Sequence, residues 1–129
     1  MLRKSHAFSS FAVQDLEAAR KFYAQTLGVG VTDVPGMKGL LQLNLFGGVK
    51  VMVYPKPDHV PASFTVLNFP VDDLERTVAA LTERGVRFEI YKDGPVKTDA
   101  RGISSGTGPR IAWFRDSSGN ILSAIEEKH

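Results

Sequence analysis

The chain has no cysteine among its 129 residues. That excludes a disulfide framework, a thiolate metal site and a cysteine nucleophile. It has no apolar run near the ~20 residues that a membrane-crossing helix needs. It also has no excess of one charge: 16 basic side chains face 14 acidic ones, for a net +2. Little electrostatic drive toward nucleic acid or anionic membranes follows. Histidine is scarce, at positions 6, 59 and 129, and no two of the three have metal-ligand spacing. Residues 1–6 are basic without an apolar stretch behind them, so no secretory leader is expected and a cytoplasmic location is the default. What is present, 43% hydrophobic and 23% charged residues, is the composition of a globular domain large enough to bury a core.

The chain is organised around a repeat, the first thing to seek in a sequence. Val71-Asp72-Asp73-Leu74-Glu75 echoes Val13-Gln14-Asp15-Leu16-Glu17, fifty-eight residues upstream. Each copy follows a β-like run and opens a helix-like run, and each helix runs out before a Gly-Val pair, Gly28-Val29 and Gly85-Val86. Residues 7–13 read as a strand. Asp15 can cap the helix over 16–27, whose stripe is Leu16, Ala19, Tyr23 and Leu27, with Gly28 as its stop. Strands follow over 29–34, 40–46 and 49–54. Pro35-Gly36 ends the first and Gly47-Gly48 is a two-residue hairpin signal.

Prolines 55, 57 and 61 break any ladder, so module one is 1–56, a linker spans 57–61, and module two is 62–129 within one domain. In module two, 63–71 is a strand. Asp72 or Asp73 caps a helix striped by Leu74, Val78 and Leu81, and Asp72 with Glu75 has capping-box spacing. Gly85 stops this helix, and 86–91 is a strand. Residues 92–109 show no periodicity, which in a compact domain marks a lid, a binding loop or disorder. Strands over 110–115 and 120–126 close the chain, joined by the turn Asp116-Ser117-Ser118-Gly119.

The fold class is therefore α+β: two tandem βαβββ modules forming a curved, roughly eight-stranded mixed sheet with helices on the convex face. The concave side can hold a ligand. Alternation assigns Phe8, Ser10, Ala12, Gln42, Asn44, Met52, Tyr54, Phe64, Val66, Asn68, Ile121 and Ser123 to that side, with Trp113 nearby. This mixture of aromatic surface, amides and hydroxyls suits a small organic ligand better than a phosphate-rich one.

The run Val13-Gln14-Asp15-Leu16-Glu17, Lys21-Phe22-Tyr23, Leu27-Gly28 resembles the opening of a vicinal oxygen chelate protein. This is the family of glyoxalase I, the bleomycin and fosfomycin resistance proteins and the extradiol dioxygenases. The tail Trp113-Phe114-Arg115-Asp116-Ser117-Ser118-Gly119-Asn120 resembles that family's closing strand-turn-strand. The resemblance spans nearly the whole chain and includes the paired modules. It implies a divalent metal held by His, Gln or Glu at four strand positions, which here carry Phe8, Met52, Val66 and Ser123. None is a usual ligand for a hard cation or zinc, so no metal and no other cofactor is expected.

Other features carry two readings each. His6 shares the strand parity of Phe8 and is a displaced ligand or a frayed strand start. His59 lies in the linker, and His129 is terminal. Ser123 lacks the histidine base a nucleophilic serine needs and reads as a polar cavity wall. Trp113 is a stacking surface or core. Tyr54 and Asn68 orient a ligand or are satisfied polar groups. Arg101 and Arg110 around 102–108 could cradle an anion, but a P-loop's context is missing and a mobile lid is the better reading. Asp72, Asp73 and Glu75 are a helix start.

The expectation is a metal-free binder of a small apolar or aromatic molecule, a sequestering protein with Phe8, Ser10, Gln42, Asn44, Met52, Tyr54, Phe64, Val66, Asn68, Trp113 and Ser123 in its cavity. The alternative is a metal-dependent lyase, of the lactoylglutathione lyase kind, or a dioxygenase, with displaced ligands. A third possibility is a degenerate module kept for dimerisation or as a partner for another protein. No nucleic-acid or membrane partner is expected. A homodimer, swapped or side by side, is what the resemblance implies.

Overall fold

A computed structural model describes residues 1–106 and 108–127. The fold is α+β and divides into two compact units, Met1–Val60 and Pro61–His129. Unit one runs β1 (Ser9–Val13), α1 (Leu16–Lys21), β2 (Gly30–Val34), β3 (Met37–Asn44) and β4 (Lys50–Pro55). Unit two runs β5 (Thr65–Val71), α2 (Leu74–Glu83), β6 (Lys97–Thr98), β7 (Ser104–Ser105), β8 (Ile111–Arg115) and β9 (Ile121–Glu126). No helix among the described residues is long and apolar enough to cross a membrane.

The repeat seen in the sequence is a repeat of topology. Unit one has a sheet in the order β1-β4-β3-β2, with β1 parallel to β4 and β3 antiparallel to it. Unit two has the order β5-β9-β8, with β5 parallel to β9 and β8 antiparallel to it. The strands are thus hydrogen-bonded as sheets of four and three, with β6 and β7 forming a separate two-stranded ribbon.

Each helix begins as its sequence requires. The carboxylate of Asp15 accepts from Ala18 N–H at 3.1 Å, and that of Asp73 from Arg76 N–H at 3.1 Å, satisfying donors that the first turn leaves orphaned. The cap on α2 is Asp73, one residue later than a capping box needs, so Glu75 falls at the second helical position and turns elsewhere. Glu126 accepts from Leu74 N–H at 3.1 Å instead. Gly28 lies at φ +72° and Gly85 at φ +95°, the left-handed stop both helices were expected to have.

Alternation places one face of each sheet in the core. Phe11, Val13, Leu41, Leu43, Val51 and Val53 are buried in unit one with Ala19 and Tyr23 of its helical segment. Leu74, Val78, Ile103, Ala112 and Ala124 form the core of unit two, with Val71 and Phe88 against them.

Three local expectations fail. Residues 22–26 wind as a π-helix rather than α, with Leu27 N–H donating to Phe22 C=O at 3.0 Å. Tyr23, wholly buried and edge-on to Phe22 at 5.3 Å between ring centroids, sits in this wider turn. The glycine pair turns within a short 3₁₀ segment, Phe46–Gly48, rather than a two-residue hairpin loop. The strand expected over 86–91 shrinks to one bridge, Phe88 to Phe114, and one further bond from Glu89 N–H to Trp113 C=O at 2.8 Å. Its continuation is diverted because Tyr91 exchanges bonds with Thr98. Tyr91 N–H donates to Thr98 Oγ1 at 2.8 Å, and Thr98 N–H donates to Tyr91 C=O at 2.9 Å.

Candidate functional site

On the sheet face opposite each core, the two units carry corresponding rows. In unit one, register pairs Ser10 with Met52, Met52 with Gln42, and Gln42 with Thr32, one row across all four strands. In unit two, Asn68 pairs with Ser123 and Ser123 with Trp113. Ser10 and Asn68 are separated by the same fifty-eight residues as the two helix starts. Met52 therefore corresponds to Ser123, and Gln42 to Trp113.

The unit-one row is polar and internally bonded. Gln42 Nε2 donates to Asn44 Oδ1 at 2.8 Å, and Asn44 Nδ2 donates to Thr32 Oγ1 at 3.0 Å. Tyr54 lies one pleat further along, beside Ala12, at the exposed end of β4. Phe8, just before β1 and 63% exposed, borders an open hollow of about 660 Å³ with His6, Gln42, Val49, Lys50 and Met52.

The unit-two row builds a smaller and shallower aromatic pocket of about 280 Å³, lined by Ser63, Phe64, Thr65, Tyr91, Asp93, Pro95, Val96, Trp113 and Ile121. Trp113 faces it, half-buried on β8. Its Nε1–H donates to Thr65 Oγ1 at 3.2 Å, and its ring meets Tyr91 edge to face, with centroids 5.8 Å apart and planes at 71°. That bond fixes the indole while leaving its π surface to the pocket. Phe64 is 67% exposed at the rim. Ser123, in the middle of the row, is wholly buried, and its hydroxyl donates to Asn68 Oδ1 at 2.5 Å.

Val66 does not follow simple alternation. The β5–β9 register shifts between Thr65 and Leu67, leaving Val66 without a cross-strand partner, and Thr65 pairs with Ile121. A bulge of this kind re-aims side chains, and it is Thr65 that reaches Trp113.

The four positions at which the resemblance implies metal ligands do not fit a divalent cation. Phe8 and Val66 have no donor atom, and Met52 offers only a soft thioether. The Ser123 hydroxyl is committed to Asn68. Among the described residues, no three His, Cys, Asp or Glu side chains are grouped to hold a metal.

Arg101 and Arg110 do not form an anion cradle; both are spent on carboxylates. Arg110 reaches Glu75 at 2.8 Å and Glu126 at 3.8 Å, while Arg101 reaches Asp99 at 2.8 Å and Glu75 at 3.5 Å. The hydrogen bond from Arg110, reinforced by the charges of Arg101 and Arg110, holds the Glu75 carboxyl below its ordinary range. Burial opposes ionisation of Asp99, but hydrogen bonds from the Arg101 side chain and from the Ile103 and Arg101 N–H groups outweigh it and lower its pKa. Arg101 ties the second half of the 92–109 segment to α2, and Arg110, just beyond it, joins α2 to β9. Ile103, in that half, is a core residue, so this part is no free lid. Thr107 and His129 lie outside the described residues.

Tyr91, Asp93, Pro95, Val96, Ser63 and Thr65 complete the pocket without having been singled out from sequence. The available signal was the aperiodic 92–109 segment, in which binding loops are expected. Which of its residues turn inward depends on the Tyr91–Thr98 closure, which no local pattern announces.

Solved structures of similar fold include TnmS3, an antibiotic binding protein from Streptomyces sp. CB03234, at 27% identity and TM-score 0.67, with 97% of this chain and 98% of that one covered. A member of the Glyoxalase/bleomycin resistance protein/dioxygenase superfamily from Sphaerobacter thermophilus DSM 20745 aligns at 24% identity and TM-score 0.65, over 94% and 97% of the two chains. The fosfomycin resistance protein FosX from Mesorhizobium loti shares the fold at 13% identity and TM-score 0.62, over 97% and 93%. No curated protein matches the sequence. The family profile spans both units, matching residues 5–123, and the chain belongs to the Glyoxalase/Bleomycin resistance protein/Dioxygenase superfamily.

Proposed function

We propose that this protein binds a small apolar or aromatic molecule in the unit-two pocket, without a metal, and acts by sequestration rather than by chemistry on the ligand. The observation that carries the reading is the pinned indole of Trp113, set against Tyr91 in a pocket bordered by Phe64, Pro95 and Val96. A rigid aromatic wall offers contact area at little entropic cost to binding. The similarity to a Streptomyces antibiotic binding protein supports the same reading. A volume of about 280 Å³ lies at the small end for ligand sites and suits one or two fused rings.

Trp113 is the only tryptophan, so its fluorescence reports on the pocket directly. Planar aromatic compounds are expected to quench it and to raise the melting temperature, by about 2.7 kcal/mol of added stability at a hundredfold excess over Kd. Trp113→Ala should remove the stabilisation. No stabilisation by any organic compound, together with clear stabilisation by nickel, zinc or manganese, overturns the reading.

One observation favours a second reading, a metal-dependent lyase or dioxygenase with displaced ligands: His6 borders the unit-one hollow with Gln42 and Met52. Near-stoichiometric metal in protein purified without chelators would favour it. A homodimer in the cytoplasm completes the proposal. Exposed Phe8, Phe46 and Val49 in unit one are apolar surface of the kind that association covers, and sedimentation gives the stoichiometry.

A further inference from the structure

We infer that the pocket selects for positive charge, so that its ligand is an organic cation: a protonated amine or quaternary ammonium on an aromatic or apolar body. The inference rests on the reading of the unit-two pocket as the ligand site. Among the described residues, Asp93 is the ionic side chain that lines the pocket. Lys92 and Lys97 flank it in sequence but do not line the pocket.

The carboxylates around the same segment are otherwise matched with arginine: Glu75 and Glu126 with Arg110, Asp99 with Arg101, Glu89 with Arg115. Among the described residues no cation pairs with Asp93, which leaves its charge to the pocket. The loop that carries it is closed at its base by the two Tyr91–Thr98 bonds, and Pro95 stiffens it, so Asp93 is kept at the border of the pocket that Trp113 and Tyr91 also line. Ring faces carry negative quadrupole density and attract cations. An aromatic wall and an unpaired carboxylate act on a cation in the same direction, and both disfavour an anion.

The test compares three probes of one shape by calorimetry at low ionic strength: N-methylquinolinium, quinoline at a pH where it is neutral, and quinoline-2-carboxylate. The cation is expected to bind about tenfold tighter than quinoline, and the anion weakest, with the preference shrinking as salt is added. Asp93→Asn should cut the cation's advantage over quinoline severalfold, leaving only the part that the ring faces supply. Asp93 is exposed, so this variant is expected to fold, and an unchanged melting temperature checks it. Equal affinity for all three probes overturns the charge inference and leaves the aromatic pocket standing. A cation preference undiminished by Asp93→Asn also overturns it. Failure of all three probes to bind overturns the pocket reading itself, and the inference with it.

Discussion

The two units share a strand order, a capped helix and a matching row of side chains, yet the pocket walled by Trp113 and Tyr91 stands on unit two. In unit one the row is Ser10, Met52 and Gln42; in unit two it is Asn68, Ser123 and Trp113. The side chains alone do not make the difference. Between β2 and β3 the chain turns at once through Pro35-Gly36, whereas unit two inserts residues 92–109 at the matching place. The first part of that insertion, with Asp93, Pro95 and Val96, becomes a pocket wall. The second part buries Ile103 in the core. The longer connection of unit two thus supplies a pocket wall from its first part and a core residue from its second.

The largest test of this difference is at Gly102. Its φ is +94°, and an added Cβ would lie 2.6 Å from Phe88 Cβ. Gly102→Ala combines left-handed strain with a backbone-proximal clash in the core and is expected to destabilise by about 3 kcal/mol or more. Gly36→Ala, at φ +75° in open space within the short unit-one turn, should cost only about 1 kcal/mol. Urea unfolding of both variants compares them. Equal costs would mean that the inserted segment is not anchored as described.

A smaller effect is expected at the base of the pocket loop. Thr98→Val removes the acceptor of Tyr91 N–H, leaving a half-buried donor unpaired at a cost of about 1–2 kcal/mol. The loop should also loosen, weakening any ligand that quenches Trp113. Unit one has no equivalent closure, so its hydrogen exchange should not change. Tighter binding in Thr98→Val would show that the loop obstructs the pocket rather than walls it.

The ion pairs of the insertion give a pH dependence with a definite sign. Glu75 and Asp99 have folded-state pKa values below their ordinary ones. Their contribution is therefore complete above the ordinary carboxylate range near about 4 and is lost as pH falls through the depressed folded values. These are exposed pairs and individually weak. Amide protection factors around 99–106, taken relative to the intrinsic exchange rate at each pH, should fall on acidification more than those in the core strands of unit one. Arg101→Ala should bring part of that loss of protection to neutral pH. Loosening that appears on raising the pH from 7 would contradict the assignment.

Much of this molecule was legible in its sequence. The repeat gave two units of one topology because the helix signals are local: Asp15 and Asp73 can cap, and Gly28 and Gly85 can stop a helix, without tertiary help. Alternation found the buried Leu41 and Leu43 for the same reason. What was not legible depends on contacts distant in sequence. The bulge at Val66 shifts parity through β5, so Thr65 meets Trp113 across a separation that no pattern records. The strand over 86–91 is lost because Thr98 captures Tyr91. Arg101 and Arg110 look available to an anion until the fold brings Glu75 and Glu126 to them. The candidate site was readable as a row of strand positions, and its wall was not.

The finest comparison lies within the two rows, where the same scaffold holds polar groups in different settings. Asn44 links Gln42 to Thr32 near the surface of unit one. Ser123 is buried and donates to Asn68. Water can replace the Asn44 bonds at a part-exposed site, so Asn44→Ala is expected to shift stability by less than about 0.5 kcal/mol. Ser123→Ala removes a donor from the buried end of its bond. Asn68 is exposed and can turn to water, which limits the loss to about 0.5–1 kcal/mol. If Ser123 only packs the floor beneath the pocket, Ser123→Ala should leave aromatic affinity within about twofold. A much larger loss of affinity at unchanged stability would place the hydroxyl in contact with the ligand, and the pocket would then extend beneath Trp113 along the row that the two units share.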